Sequence, residues 1–464
     1  MLPRRYFPIL IVFLILLAFA VSVLLIGYQN LQRAEKAENE KNYLLAAESY
    51  QQAARFLVWR TDLPERAAIT SAMGGNFSSA IDHFQVNAPA TEEGWVWYCA
   101  AHNQLGNYAN AVEVCSTGTQ AFDSARLYGL LAFAQRSQKD WAAEQAALEN
   151  QTRLDPTDAF AAYRYGLLLM LSQSDQALAE LTRASSLNPE LDSALQTLRV
   201  SLAVSAQQKT PSMQLVIIGN GLGLVQEWEL ASVAFEQAIF LDEKNAEAWA
   251  WLGEAKQQLG QDGSAELDQA LVLDRRSVNV RALRGLYWSR VGKYESMLAE
   301  YLIAAEIEPE NPRWQVSLGD AYAANGDLVA ALQAYQNAVT LAPELPEYWQ
   351  LLAFFCADNG IHLDDVGLPA AEQALTIAPN APASLDAAGY VNLSSGRYAT
   401  AESYLLQAIE ISPEYFSAHL HLAMTYLAQG DKAAAFNSLT FIRDAPTAGI
   451  FGETAQQLLD EYFR

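Results

Sequence analysis

Cysteine, histidine and basic side chains are scarce in this chain, and each scarcity removes a class of function. Cysteine stands only at Cys99, Cys115 and Cys356, an odd and thinly spread set that makes neither a disulfide framework nor a zinc site. Cys99 and Cys115 fall on the two helices of one expected hairpin. They pair if their Cα atoms lie within about 7 Å, and otherwise are two small buried thiols. The five histidines are His83, His102, His362, His419 and His421, and none belongs to a His-Glu-x-x-His helix. His419 and His421 point about 160° apart on a helix, so they cannot share a metal. Lysine and arginine total 29 against 53 acidic residues, a net charge of −24. A surface this acidic repels phosphate backbones, so nucleic acid is not an expected partner. Such acidity serves solubility, or it suits a basic partner.

Chemistry-bearing motifs are equally thin. Gly219-Asn220-Gly221-Leu222-Gly223 lacks the third glycine of a dinucleotide loop, because Leu224 stands there. Asp364 and Asp365 read as a solvated turn. There is no Gly-x-Ser-x-Gly elbow and no P-loop. No catalytic residue, metal or cofactor is expected, and the chain does not read as an enzyme.

What is present favours helix. Hydrophobic residues make up 51% of the chain, enough for a continuous core. Alanine, leucine, glutamate and glutamine dominate, whereas Val/Ile/Thr runs are nearly absent beyond the first thirty residues.

Residues 7–26 carry no charge and are apolar except for Ser22. Twenty helical residues span about 30 Å, the thickness of a bilayer core. Tyr6 and Tyr28 flank the run as interfacial aromatics do. Ala18-Phe19-Ala20 resembles a cleavage site, but the apolar run continues to Ile26, which favours an uncleaved anchor over a signal peptide. Arg4 and Arg5 favour a cytoplasmic tail over residues 1–6, an anchor over 7–27 and an extracytoplasmic remainder. The reverse topology would put the remainder in the cytoplasm.

From about residue 28 one pattern recurs every 31–36 residues. Its clearest copy is Trp314, Leu318, Gly319, Tyr322, Gly326, Ala331, Tyr335, Ala338 and Pro343. Gly285, Trp288, Gly292, Tyr294, Met297, Tyr301, Ala304 and Pro309 precede it. Gly389, Gly396, Tyr398, Ala401, Leu405, Ala408 and Pro413 follow. Leu318, Gly319 and Tyr322 share one helical face, and Ala331, Tyr335 and Ala338 share another. Small Gly319 and Ala331 let two backbones approach while Tyr335 fills the space beside them. Gly326-Asp327 ends one helix and starts the next.

This set resembles the tetratricopeptide repeat family. The resemblance implies an all-α, right-handed superhelical solenoid of antiparallel helix pairs, preceded here by one transmembrane helix. About twelve units are countable. A first stack is expected over 28–189, an extra helix (191–207) and break over 190–211, a second stack over 212–446, and a capping helix over 447–464. The first repeat helix is expected to continue from the membrane span, and a small insertion falls at 361–367.

In that family the first helices of the pairs line a concave groove. The residues that follow the small position are then Phe133, Asn220, Glu254, Asp320, Phe354, Tyr390 and Met424. Neighbouring groove candidates are Trp97, Asn103, Tyr163, Trp251, Arg290, Arg313 and Gln350. The clamp that some members use for acidic chaperone C-termini is absent, since Val216 replaces its lysine beside Asn220. The mixed acidic and aromatic groove suits an extended peptide with apolar anchors and some positive charge.

Three functions compete on these grounds. One is a non-catalytic, membrane-anchored protein-interaction scaffold for envelope assembly or export. Another is a cytoplasm-facing tether for a soluble enzyme. The third, a transferase carrying repeats, would need a non-repeat domain for which no segment remains.

Overall fold

The computed structural model describes residues 7–172 and 174–463. The tail over residues 1–6, with Arg4, Arg5 and Tyr6, lies outside the described residues. Among the described residues every regular element is helical. The chain forms two compact units, Met1–Leu241 and Asp242–Arg464.

Unit 1 pairs α1 (Phe7–Asn39) with α2 (Tyr43–Phe56), α3 (Leu63–Met73) with α4 (Phe77–Val86), and α5 (Glu92–Gln104) with α6 (Tyr108–Ala121). It continues with α7 (Ala125–Ser137) and α8 (Trp141–Leu154), then α9 (Ala159–Leu169) and α10 (Ser174–Leu187). Helix α11 (Asp192–Ser205) belongs to no pair, and α12 (Pro211–Leu224) pairs with α13 (Trp228–Leu241). The extra helix read from sequence is α11. It packs on α12, so the expected break at 190–211 falls inside unit 1 and the boundary between units comes after α13.

Unit 2 pairs α14 (Ala246–Gln258) with α15 (Ser264–Leu273), α16 (Val278–Arg290) with α17 (Tyr294–Ile307), and α18 (Pro312–Ala324) with α19 (Leu328–Leu341). Then come α20 (Pro346–Asn359) with α21 (Leu368–Ile377), α22 (Pro382–Ser394) with α23 (Tyr398–Ile411), and α24 (Phe416–Gln429) with α25 (Lys432–Asp444). Helix α26 (Ile450–Tyr462) closes the unit by burying Ala455 and Leu459 against α24 and α25. The insertion at 361–367 is a single wide turn, Leu363–Gly367, packed on α20 and α21.

Turn chemistry makes the pairs. Most first helices end where one residue adopts a left-handed conformation, as at Gly326 with φ +85°. The amide of Asp327 then donates to the Tyr322 carbonyl at 2.9 Å, and the Asp327 side chain accepts from the Ala330 amide at 3.0 Å. Lys41, Lys139 and Gln226 take the same left-handed role at the cost of Cβ strain. The close approach is equally specific. A Cβ on Gly319 would lie 2.7 Å from the Tyr335 ring, on Gly285 2.1 Å from Tyr301, and on Gly219 2.4 Å from Phe235. The small residue on the first helix and the large one on the second therefore fill one volume.

A further lock joins consecutive pairs. The indole N–H of Trp249 donates to the Glu243 carbonyl (2.9 Å), that of Trp314 to the Glu308 carboxylate (2.8 Å) and that of Trp349 to the Pro343 carbonyl (2.8 Å). Each reaches back six residues and ties a first helix to the turn that precedes it. His419 fills that slot in α24, its Nε2 lying 2.9 Å from the Pro413 carbonyl.

Helix α1 runs without a break from the apolar segment into the first pair, as expected. Its apolar side chains from Ile11 to Leu17 are exposed, while Leu31, Ala34 and Ala37 are buried against α2 and α3.

Candidate functional site

First helices of successive pairs touch one another: α3 with α5 and α5 with α7 in unit 1, and α14 with α16, α20 with α22 and α22 with α24 in unit 2. No contact of that size joins consecutive second helices among the described residues. Where they touch, the first helices form the tighter, inner layer. The groove candidates lie on it, and the structure gives them different situations.

In unit 1, Trp97 is half-buried and lines a small depression with Ala100, Arg126, Gly129 and Leu130. Asn103 is buried, and its amide donates to the Leu130 carbonyl on α7 at 3.0 Å. Its role in the fold is thus a tie between two first helices. Its carbonyl oxygen is buried with no partner, as is that of Asn220. Phe133 is half-exposed and meets the Tyr108 ring edge-on at 6.2 Å. Tyr163 is partly buried, and burial pushes its phenol up to about 12.

In unit 2, two candidates neutralise each other. Arg290 forks onto Glu254 with both contacts at 2.7 Å, and Gln258 adds a third at 2.8 Å. Asp320 accepts from the Tyr335 hydroxyl. Gln350 donates to Ser384 at 2.9 Å, Trp251 packs against the Ala250–Leu267 core, and Arg313 is exposed. Met424 is half-buried beside Leu422 and Tyr390.

Phe354 and Tyr390 are brought together, with ring centroids 6.3 Å apart on α20 and α22. The structure adds a partner that sequence reasoning excluded only as a metal ligand. His421 on α24 stacks on Tyr390 at 3.8 Å with the rings 6° from parallel, and lies 6.2 Å from Phe354. Beneath them Asp386 is fully buried. One of its oxygens accepts from His421 Nδ1 at 2.7 Å and the other from the Ser417 hydroxyl at 2.6 Å. Ser417 donates to the carboxylate rather than to the imidazole, so this is not the order of a hydrolytic triad. The exposed Asp358 faces the Tyr390 hydroxyl; burial first, and this carboxylate next, raise that phenol's pKa. Rings from three first helices thus form one half-buried aromatic surface with a carboxylate at its edge. The legible sign was spacing: Asp386 precedes Tyr390, and Ser417 precedes His421, by one helical turn.

Buried arginine–carboxylate pairs occur away from this surface. Arg164 is held by Glu144 at 2.7 and 3.1 Å and by Glu227 at 3.0 Å, while Arg284 is held by Glu300 at 2.8 Å and by Asp268. Among the described residues no group of three His, Cys, Asp or Glu side chains is placed to hold a metal ion. Cys99 and Cys115 are paired across α5 and α6, with Cα atoms 5.2 Å apart, and Cys356 is free and buried.

Tetratricopeptide repeat profiles match residues 290–346 and 392–437. No curated protein matches the chain. Among solved structures, yeast Tom70 is similar at 16% identity over 96% of each chain, with a TM-score of 0.41. The Cut9 and Hcn1 hetero-tetramer of APC/C is similar at 12% identity over 87% of this chain and 98% of that one, with a TM-score of 0.38. YrrB, described as a TPR protein with an unusual peptide-binding site, is similar at 21% identity over 40% of this chain and 95% of its own, with a TM-score of 0.31. Both profiles lie inside unit 2, so residues 290–346 and 392–437 are tetratricopeptide repeats, and the same turn and small-to-large packing recur in other pairs of the chain.

Proposed function

We propose that this chain is a non-catalytic scaffold, anchored in a membrane by α1, whose inner layer of first helices binds an extended protein segment. The anchor reading is supported by a helix of high hydropathy with only 6% of its apolar window buried. The carrying observation for binding is the surface of Phe354, Tyr390 and His421, half-buried on three adjacent helices with Asp358 beside it. Aromatic rings offer apolar area at small entropic cost, and a carboxylate at the rim favours a cationic side chain. The segment that fits carries apolar side chains and a lysine or arginine.

The test places a photo-crosslinking amino acid at Phe354 and, as a control, at Val329, which is 82% exposed on a second helix. A protein adduct at 354 that disappears with Tyr390→Ala/His421→Ala, and is absent at 329, is expected. The same adducts at both positions, or none at 354, would reject groove binding. The Cys99–Cys115 bridge supports an oxidising, extracytoplasmic location, in keeping with a role in envelope assembly or export. C-terminal reporter fusions decide the side. An active cytoplasmic reporter with a silent exported one would favour the tether instead.

A further inference from the structure

We propose that the connection between α2 and α3, with Val58 and Trp59 at its tip, seats in the lipid headgroup region as a second membrane contact beside α1. The proposal rests on the reading of α1 as a membrane anchor.

The register between α1 and α2 places this loop. Gly27 stands where the apolar run ends, and a Cβ there would lie 2.7 Å from Leu57 and 3.0 Å from Phe56. The C-terminal end of α2 therefore packs at the height of Gly27. Leu24, one turn deeper, packs on the same cluster as Leu57 and Leu63. Helix α2 runs antiparallel to α1, so the chain leaves it heading back along α1 toward the apolar segment. Residues 7–26 fill a bilayer core of about 30 Å, so Leu24 to Gly27 mark its edge. The loop emerges at that edge.

The loop presents its apolar residues outward from a braced frame. Leu57 and Leu63 are fully buried, whereas Val58 is 75% and Trp59 54% exposed. The Arg60 amide donates to the Leu57 carbonyl at 2.8 Å, and the Leu63 amide to the Arg60 carbonyl at 3.2 Å. Arg60 also grips both Asp62 oxygens at 2.8 Å and interacts electrostatically with Tyr28 and Glu35 of α1. Isolated exposed apolar residues need no explanation. Here the bulkier one is a tryptophan, the residue enriched at bilayer interfaces, and it follows by two residues the Leu57 that packs on Gly27.

Charge agrees with this placement. Over residues 28–66 six basic residues balance six acidic ones, so the acidic excess of the chain lies beyond the first pair and the loop. The part nearest the bilayer is thus spared the repulsion that an anionic lipid surface would exert on the rest.

The experiment uses the full chain reconstituted in phosphatidylcholine vesicles, with Cys356→Ala and the Cys99–Cys115 bridge left oxidised. An environment-sensitive fluorophore is attached to Trp59→Cys, Leu16→Cys or Glu40→Cys, all exposed sites. Nitroxide lipids carry the quencher either near the headgroup or at the chain end. Headgroup-proximal lipid should quench position 59 about twofold more than chain-end lipid, as for groups 5–10 Å into the interface. Position 16 should show the reverse order, and position 40 should respond to neither. Deep quenching at 16 with none at 59 would overturn the loop contact and leave the anchor standing. No quenching at 16 would overturn the anchor, and this proposal with it. A probe at 59 that is shielded from aqueous iodide, yet untouched by either lipid, would assign the patch to a protein and refute the proposal.

Discussion

Replacing Arg164 by methionine removes the cation that a buried carboxylate depends on. The Arg164 side chain is 10% exposed and that of Glu144 only 2%. Glu144 receives two bonds from Arg164, so the variant leaves its charge without a partner in a dry environment. Glu227, the third member, keeps 23% exposure and can recover water. Leaving one buried charge unpaired costs about 3–5 kcal/mol. With a urea m-value near 2–3 kcal/mol/M, the midpoint for unit 1 should fall by about 1–2.5 M. The assay is urea unfolding of the full chain in mild detergent, followed by far-UV circular dichroism. The decisive arm is the double variant Arg164→Met/Glu144→Leu. It replaces the pair by apolar groups of similar bulk and should regain about 2 kcal/mol or more over the single variant. A single variant within about 1 kcal/mol of the parent, or a double variant no better than the single, would refute the account of a buried charge held by its partner.

Gly285→Ala should destabilise by about 1–3 kcal/mol, because its Cβ would lie 2.1 Å from Tyr301; thermal melting measures this, and an unchanged midpoint would contradict the close approach. Gly292→Ala meets open space but carries φ +71°, so it should cost only about 1 kcal/mol, through backbone strain rather than collision. Thiol titration of the non-reduced, denatured chain should count Cys356 alone, whereas three thiols would mean that Cys99 and Cys115 are unpaired. Reduction of that bridge, which joins cysteines 16 residues apart, should cost about 3 kcal/mol in chemical unfolding. Burial raises the Cys356 thiol to about 11, so at pH 8 it is protonated and should resist alkylation until the chain unfolds; fast labelling of native protein would contradict its burial.

Much of the helix-pair architecture was legible because its rules are local. Gly326-Asp327 specifies a turn in any context, and the run from Gly285 to Pro309 repeats the same order of small, large and stop residues. The left-handed Lys41, Lys139 and Gln226 put ordinary residues at the same turn, so no glycine marks it there in the sequence. The inner layer was less legible. Glu254 and Arg290 read as separate groove candidates, yet they neutralise each other across 36 positions. Asn103 read as a ligand for a bound chain and instead donates to the α7 backbone. His421 was set aside because no metal motif contained it, and its actual partner, Asp386, lies 35 residues away. These contacts depend on how far one first helix is displaced and rotated against the next. No spacing inside a single repeat encodes that offset.

The loop at Val58 and Trp59 shows the same division. The apolar run over 7–26 is visible in the sequence as a length and a composition, because crossing a bilayer requires nothing else. That Trp59 stands at the foot of that run follows from Gly27, which lets α2 descend to its edge. Sequence alone determined the helices, their pairing and the apolar segment, through hydrogen-bonded turns and side-chain volumes that act over a few residues. Tertiary structure alone decided which charges are cancelled, which rings share a surface and which loop lies beside the apolar segment, since each depends on packing between helices distant in the chain.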